Sequence, residues 1–215
     1  MRTGVLFDLD GTLLDTLEDL ADAVNHVLAE HGYPRRSLEE IRCFVGNGAA
    51  MLMERAVPPG EDSALEEFRT FYDAHCREKT GPYRGVPEML NQVRKHYPVA
   101  IVSNKPDSAV KALCADYFPG IYALGDSADC PRKPAPDMVL KAMRAIGVDR
   151  CIYVGDSEVD VATAKNAGAI CLSVTWGFRT QQELEAAGAE YFCDEPAELA
   201  EQIKARLSLD GAIKM

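Results

Sequence analysis

Short apolar runs spaced by helix-length segments leave a chain few ways to fold. Here the runs are Val5-Leu6-Phe7, 99–102, 121–123, 151–154 and 170–174, with a weaker one at 191–193. Between them lie segments of helical length at 86–96, 106–117, 135–146, 158–168, 180–187 and 197–207. Strands joined by about ten or more residues pair in parallel, the crossover forming a helix. The pattern therefore predicts an α/β fold, with a Rossmann-like parallel sheet core and helices on both faces.

One region breaks the rhythm. Between residues 15 and about 81 no strand pattern occurs. Instead Leu17, Leu20, Ala21, Val24, Val27 and Leu28 recur at helical spacing, with Asp15 or Thr16 as the expected N-cap and Gly32 as the stop. Further helical patterns follow at 38–44, 48–57 and 62–79, separated by Pro34, Gly46 and Pro58-Pro59-Gly60. The expectation is a helical domain of residues 16–81, inserted after the first strand into a core made of 1–15 and 82–215.

Composition narrows the partners. Hydrophobic residues make up 47% and charged residues 27% of the 215, as in ordinary globular proteins. A net charge of −11 with no basic stripe argues against nucleic acid and against an anionic membrane surface. No apolar run approaches the ~20 residues that cross a bilayer. Residues 5–14 are interrupted by Asp8, Asp10 and Gly11, with no cleavage site after them, so a cytoplasmic location is expected. The seven cysteines form no CxxC pair and read as reduced thiols, and the four histidines lack ligand spacing.

In open parallel sheets ligands bind beyond the carboxyl ends of the strands. After the first run come Asp8, Asp10, Gly11 and Thr12; after the second, Ser103, Asn104 and Lys105. The third leads through Gly125-Asp126 to Pro131-Arg132-Lys133-Pro134, and the fourth into Gly155, Asp156, Ser157 and Asp160. Each piece has a bland explanation. Asp-Gly ends strands in solvated turns, Asp156 and Asp160 suit a helix N-terminus, and a lysine is ordinarily a surface charge. Two residues apart on a strand, Asp8 and Asp10 would share a face, about 7 Å apart at their Cα atoms. Asp156 and Asp160, four apart, would share one face of a first helical turn. Four carboxylates on one rim repel, and a hard divalent cation with oxygen ligands, Mg²⁺, relieves them. Lys133, between prolines, is the candidate anion binder, and Ser103 and Asn104 offer a hydroxyl and a backbone N–H to phosphate oxygens.

In order and behind these strands, Asp8-Leu9-Asp10-Gly11-Thr12, Ser103, Lys133 and Gly155-Asp156 with Asp160 resemble the motifs of the haloacid dehalogenase (HAD) superfamily over essentially the whole chain. The helical insertion resembles that superfamily's α-helical cap domain. More narrowly, Asp10-Gly11-Thr12-Leu13-Leu14-Asp15-Thr16, Phe44-Val45-Gly46-Asn47-Gly48-Ala49 and Ser103-Asn104-Lys105-Pro106 resemble the phosphoglycolate phosphatases. The resemblance implies Mg²⁺-dependent hydrolysis of a small phosphorylated metabolite through an aspartyl-phosphate, by a monomer or homodimer. It gives Asp8 as nucleophile and Asp10 as general acid, protonated in the free site, then base. Asp8, the backbone carbonyl of Asp10, and Asp156 would hold the metal, supported from behind by Asp160 and Thr12. Lys133, Ser103 and Asn104 would bind the phosphoryl group. Gly46 and Asn47, in a cap loop, would approach the leaving group. Arg35, Arg36, Arg42 or Arg55 is the candidate partner for a substrate carboxylate. Competing readings are a pyrophosphatase, a phosphosugar mutase like β-phosphoglucomutase, a dehalogenase, and a non-catalytic binding protein of the same fold.

Overall fold

The structure, a computed structural model, describes residues 1–61 and 63–212, with side chains to Leu207. Strand β1 (Thr3–Phe7) is the hub. A two-residue strand β2 (Leu14–Asp15) leads into helices α1 (Leu17–Glu30), α2 (Leu38–Phe44), α3 (Ala49–Ala56) and α4 (Ala64–His75). The chain returns through β3 (Gly81–Pro82), which pairs antiparallel with β2. Then follow α5 (Val86–Arg94), β4 (Val99–Pro106), α6 (Asp107–Tyr117), β5 (Tyr122–Asp126), α7 (Asp137–Ile146), β6 (Arg150–Gly155), α8 (Glu158–Asn166), β7 (Ile170–Val174), α9 (Gln181–Ala186), β8 (Phe192–Cys193) and α10 (Leu199–Ala212).

The main sheet is parallel, in the order β5-β4-β1-β6-β7-β8. From β1 the chain builds outward to one side, then returns to build the other. The switch therefore falls at β1, where an open sheet forms its ligand crevice. Alternation sorts the two faces. Leu6, Ala100, Val102 and Tyr153 face α7, while Val5, Phe7, Ile101, Ile152 and Val154 join the larger core on the other face. That larger core runs on into the helical insertion through Leu13, Leu14, Leu20, Val24, Leu52 and Phe68, so the insertion shares its apolar packing with the sheet.

Several sequence expectations shift in detail. The third strand is β5, displaced toward the polar Gly125-Asp126 end. Strand β4 continues through Ser103, Asn104 and Lys105 after a register break at Val102, so these residues lie within a strand rather than after one. The two-residue ribbon β2–β3 was missed, being too short to show a period. Thr16 does stand at the N-cap of α1, but its side chain makes no capping bond and turns elsewhere. Gly32, at φ +72°, ends that helix as expected.

Candidate active site

Strand β1 ends at Phe7, yet the Asp8 N–H still donates to the Val154 carbonyl at 2.8 Å. Beyond it the chain coils tightly, with the Leu13 and Leu14 amides both reaching the Leu9 carbonyl and Gly11, at φ +81°, closing the turn. Asp8 and Asp10 consequently take separate partners, not the shared strand face the spacing suggested.

Asp8 enters a buried acidic group. One carboxylate oxygen from each of Asp8, Asp156 and Asp160 lies within 4.8 Å of the others. Lys133, 3% exposed, sets its ammonium nitrogen 2.8 Å from Asp8 Oδ1 and 2.8 Å from Asp160 Oδ1, and 3.1 Å from the Tyr153 hydroxyl. The contact to Asp8 is a charge contact without hydrogen-bond alignment, and Asp8 Oδ1, fully buried, accepts no hydrogen bond from any described residue. Burial, then the Asp160 charge, pushes the Asp8 carboxyl well above the ordinary range, with Lys133 opposing. For Lys133 burial pulls down, but Asp160 and Asp8 outweigh it and hold the ammonium well above its usual value.

Asp156 precedes helix α8; Ser157 is the N-cap. The expected shared face with Asp160 on the first turn is therefore replaced by a different arrangement. Thr12 Oγ1 donates to Asp156 Oδ1 at 2.9 Å and the Phe178 N–H to Oδ2 at 2.8 Å. Burial, then Asp160, raises the Asp156 carboxyl to about 7. Asp160 is occupied on both oxygens: Oδ2 closes the capping box with Ser157, and Oδ1 meets Lys133 and Tyr153. Helix capping and site building thus fall on one side chain. Gly155 and Gly177 make room, since a Cβ would strike Asp160 at the first and Asp156 and the Gly11 carbonyl at the second.

Asp10 is surrounded by donors rather than the expected carboxylates. Its Oδ1 accepts from Thr16 Oγ1 and Lys105 Nζ, each at 2.7 Å, and its Oδ2 from Ser103 Oγ at 3.3 Å. Lys105 is 6% exposed; burial alone would lower its pKa, but the Asp10 carboxylate more than offsets that and holds it raised. Asn104 lines the cleft with its side chain already engaged. Its Oδ1 accepts the Lys133 N–H at 2.8 Å, and its Nδ2 donates to the carbonyls of Lys133 at 2.9 Å and Gly46 at 3.1 Å.

A cleft of about 60 Å³ lies between this edge and the helical insertion, lined by Asp8, Asp10, Ser103, Lys105, Lys133 and Asp156 below, and by Leu20, Gly46, Leu52, Phe68 and Tyr72 above. Gly46 reaches it as expected. Asn47 does not line it, because Arg55 Nη2 takes its side-chain oxygen at 2.8 Å. Arg36 and Arg42 are likewise engaged, with the Ala56 carbonyl and Glu40 and with Glu39 and the Phe178 carbonyl, and none of the four cap arginines lines the cleft. The cations that do line it, besides Lys133, are Lys105 and Arg179. Sequence reading missed Arg179, Tyr72 and the role of Lys105. Lys105 stood in the strand-end motif, whereas nothing in the sequence marks the other two.

The acidic group suits a divalent cation. Asp8 Oδ1, fully buried beside two further carboxylates and met only by the Lys133 ammonium, is a hard oxygen donor with room for a cation. Carboxylates and cations gathered beneath the helical insertion at the switch point of a parallel sheet form a site suited to anion chemistry. The chain belongs to the haloacid dehalogenase-like hydrolase family, whose sequence profile matches residues 5–174. It is similar to a phosphoglycolate phosphatase of Pseudomonas putida, 36% identical over 89% of this chain and 76% of that protein. Another, from Vibrio parahaemolyticus, is 32% identical over 93% and 95%. A crystal structure provisionally named a phosphoglycolate phosphatase, from Lactobacillus delbrueckii subsp. bulgaricus, matches at a TM-score of 0.87 and 36% identity, covering 93% of this chain and 97% of its own. CbbY from Rhodobacter sphaeroides, solved in complex with phosphate, matches at 0.78 and 25%, covering 95% and 100%.

Proposed function

We propose that this protein hydrolyses a small phosphate monoester, 2-phosphoglycolate first among candidates, by way of an aspartyl-phosphate on Asp8. The observation that carries the reading is Asp8 itself: a buried carboxylate whose Oδ1 lies 2.8 Å from an ammonium and beside two further acids. The names of its relatives and the phosphate in the CbbY structure support it.

An Asp8 oxygen attacks phosphorus in line while the ester P–O bond breaks, and Asp10, which takes up a proton as the substrate binds, gives it to the departing oxygen. Asp10, now a carboxylate braced by Thr16, Ser103 and Lys105, takes a proton from water. The water oxygen bonds to phosphorus, the acyl-phosphate P–O bond breaks, and Asp8 is restored with release of inorganic phosphate. Lys133 and the Ser103 hydroxyl hold phosphoryl oxygens, and the Asn104 side chain fixes the backbone of Lys133. Asp8, the Asp10 carbonyl and Asp156 would bind Mg²⁺, which supplies positive charge that keeps Asp8 ionised and offsets the dianion. Thr12 orients Asp156, and Asp160 orients Lys133. Residues 16–81 act as a cap over the 1–15 and 82–215 core, with Gly46 and the Asn47 backbone shaping the loop above the leaving group. Among the described residues no helix is long and apolar enough to cross a membrane, and we place the enzyme in the cytoplasm.

The test is a panel of phosphate monoesters, with pyrophosphate and a glucose-phosphate isomerisation assay, run with and without Mg²⁺. Mg²⁺-dependent release of phosphate from monoesters is expected, and Asp8→Asn should lower turnover by about a thousandfold or more. Substantial turnover in that variant would remove Asp8 from the nucleophile's place; isomerisation without net release would point to a mutase.

A further inference from the structure

The cleft has a second polar end, of which the proposed reaction uses only the contact between Lys105 and Asp10. Lys105, from the core strand β4, sets its ammonium 4.6 Å from the ring centroid of Tyr72, on α4 of the helical insertion. Asp10 takes one of its three N–H groups, and the Tyr72 oxygen interacts with the ammonium as well. The Tyr72 O–H, on a residue 2% exposed, finds no acceptor among the described residues, since the neighbouring ammonium can only donate to it. Burial keeps the phenol well above its ordinary pKa, so it remains a neutral donor. Both residues line the cleft, and the wall around them is apolar: Leu20, Leu52 and Phe68. Leaving a buried hydroxyl unsatisfied costs about 1–3 kcal/mol, which a ligand acceptor would relieve.

Position matters as much as chemistry. A group that Asp10 protonates lies within a hydrogen bond of Asp10, and Lys105 is 2.7 Å from the same carboxylate. A group hanging from the leaving oxygen by one or two carbons is thereby within reach of Lys105 and of Tyr72, both of which line the cleft. Resting on the phosphatase reading, we propose that Lys105 and Tyr72 are the residues that select for a carboxylate on the leaving group. The carboxylate accepts from the ammonium and from the phenol. Because the first donor belongs to the core and the second to the insertion, the bound anion also ties the two together. The apolar wall gives a neutral chain nothing to pair with these donors, and an analogue without the carboxylate leaves both unsatisfied.

The experiment measures kcat and KM for the wild type, Tyr72→Phe, Lys105→Met and Lys105→Arg in saturating Mg²⁺. The substrates are 2-phosphoglycolate, ethyl phosphate (the same length without the carboxylate) and pyrophosphate. The wild type should prefer 2-phosphoglycolate to ethyl phosphate by about a hundredfold or more. Tyr72→Phe, which removes one oxygen, should cut that preference about tenfold, mainly through KM. Lys105→Met should cut it further, and Lys105→Arg should recover part. Equal losses on both esters would overturn the proposal while leaving the phosphatase reading intact, since Lys105 would then serve Asp10 alone. A preference for pyrophosphate that these variants abolish would assign the site to a leaving phosphate and overturn the carboxylate. Failure of the wild type to hydrolyse any monoester would defeat the phosphatase reading, and this proposal with it.

Discussion

Lys133 sits between two carboxylates, Asp8 and Asp160, its ammonium 2.8 Å from each and nearly out of water. Three buried charges are balanced only as a set, because removing one partner of such a group leaves the others uncompensated. Lys133→Met should therefore destabilise the metal-free protein by about 3–5 kcal/mol as well as impair phosphate binding. Chemical denaturation with and without Mg²⁺ checks this; a variant as stable as the wild type would show that the acids are neutralised by another route. The identities of Asp8, Lys133, Asp156 and Asp160 were readable in the sequence because each follows a strand. Their pairing was not. That Asp160 orients Lys133 while capping α8, or that Asn104 clamps the Lys133 backbone, depends on which loops meet.

Among the elements, the segment joining α2 to α3 is the one held from across the cleft. Arg179, in the loop after β7, donates from Nη1 to the Arg42 carbonyl and from Nη2 to the Val45 carbonyl, both at 2.8 Å, with Glu158 on its Nε at 2.8 Å. These are carbonyls at the C-terminal end of a helix, which lack partners inside it. Asn104 adds the Gly46 carbonyl and Arg132 the Asn47 carbonyl, at 3.1 and 3.3 Å. The insertion is thus fastened through backbone oxygens of residues 42–47. Arg179→Ala should loosen that fastening by about 1–3 kcal/mol and raise amide hydrogen exchange in 42–49 more than in the sheet. Unchanged exchange there would mean that apolar packing alone holds the lid. No sequence pattern announces Arg179, whose two carbonyl partners lie more than a hundred residues away.

For the whole molecule, the buried acids set a pH dependence. Asp156 titrates near 7 in the fold against an ordinary 3.8. Between about pH 4 and 7 the folded chain keeps a proton that the unfolded chain has released, so stability falls as pH rises through that window. The raised Asp8 acts in the same direction, as does His31, whose folded pKa is raised by its hydrogen bond to Glu67. A divalent cation prefers the ionised acids, so Mg²⁺ should stabilise the protein more at pH 8 than at pH 5. Thermal melts in EDTA and in Mg²⁺ from pH 5 to 8 measure it, and Asp156→Asn should flatten the difference. A Mg²⁺ effect independent of pH would place the cation away from Asp156.

Periodicity and strand-end position are local properties of the chain, and they were enough to mark the layered α/β plan, the helical insertion and the strand-end acids. The ribbon of β2 and β3, too brief to show a period, escaped them, as did the polar continuation of β4. Tertiary structure alone decided which donors surround Asp10, which cations line the cleft and what fastens the insertion. Those outcomes depend on side chains brought together from distant segments, where geometry and desolvation, rather than spacing along the chain, select the partners.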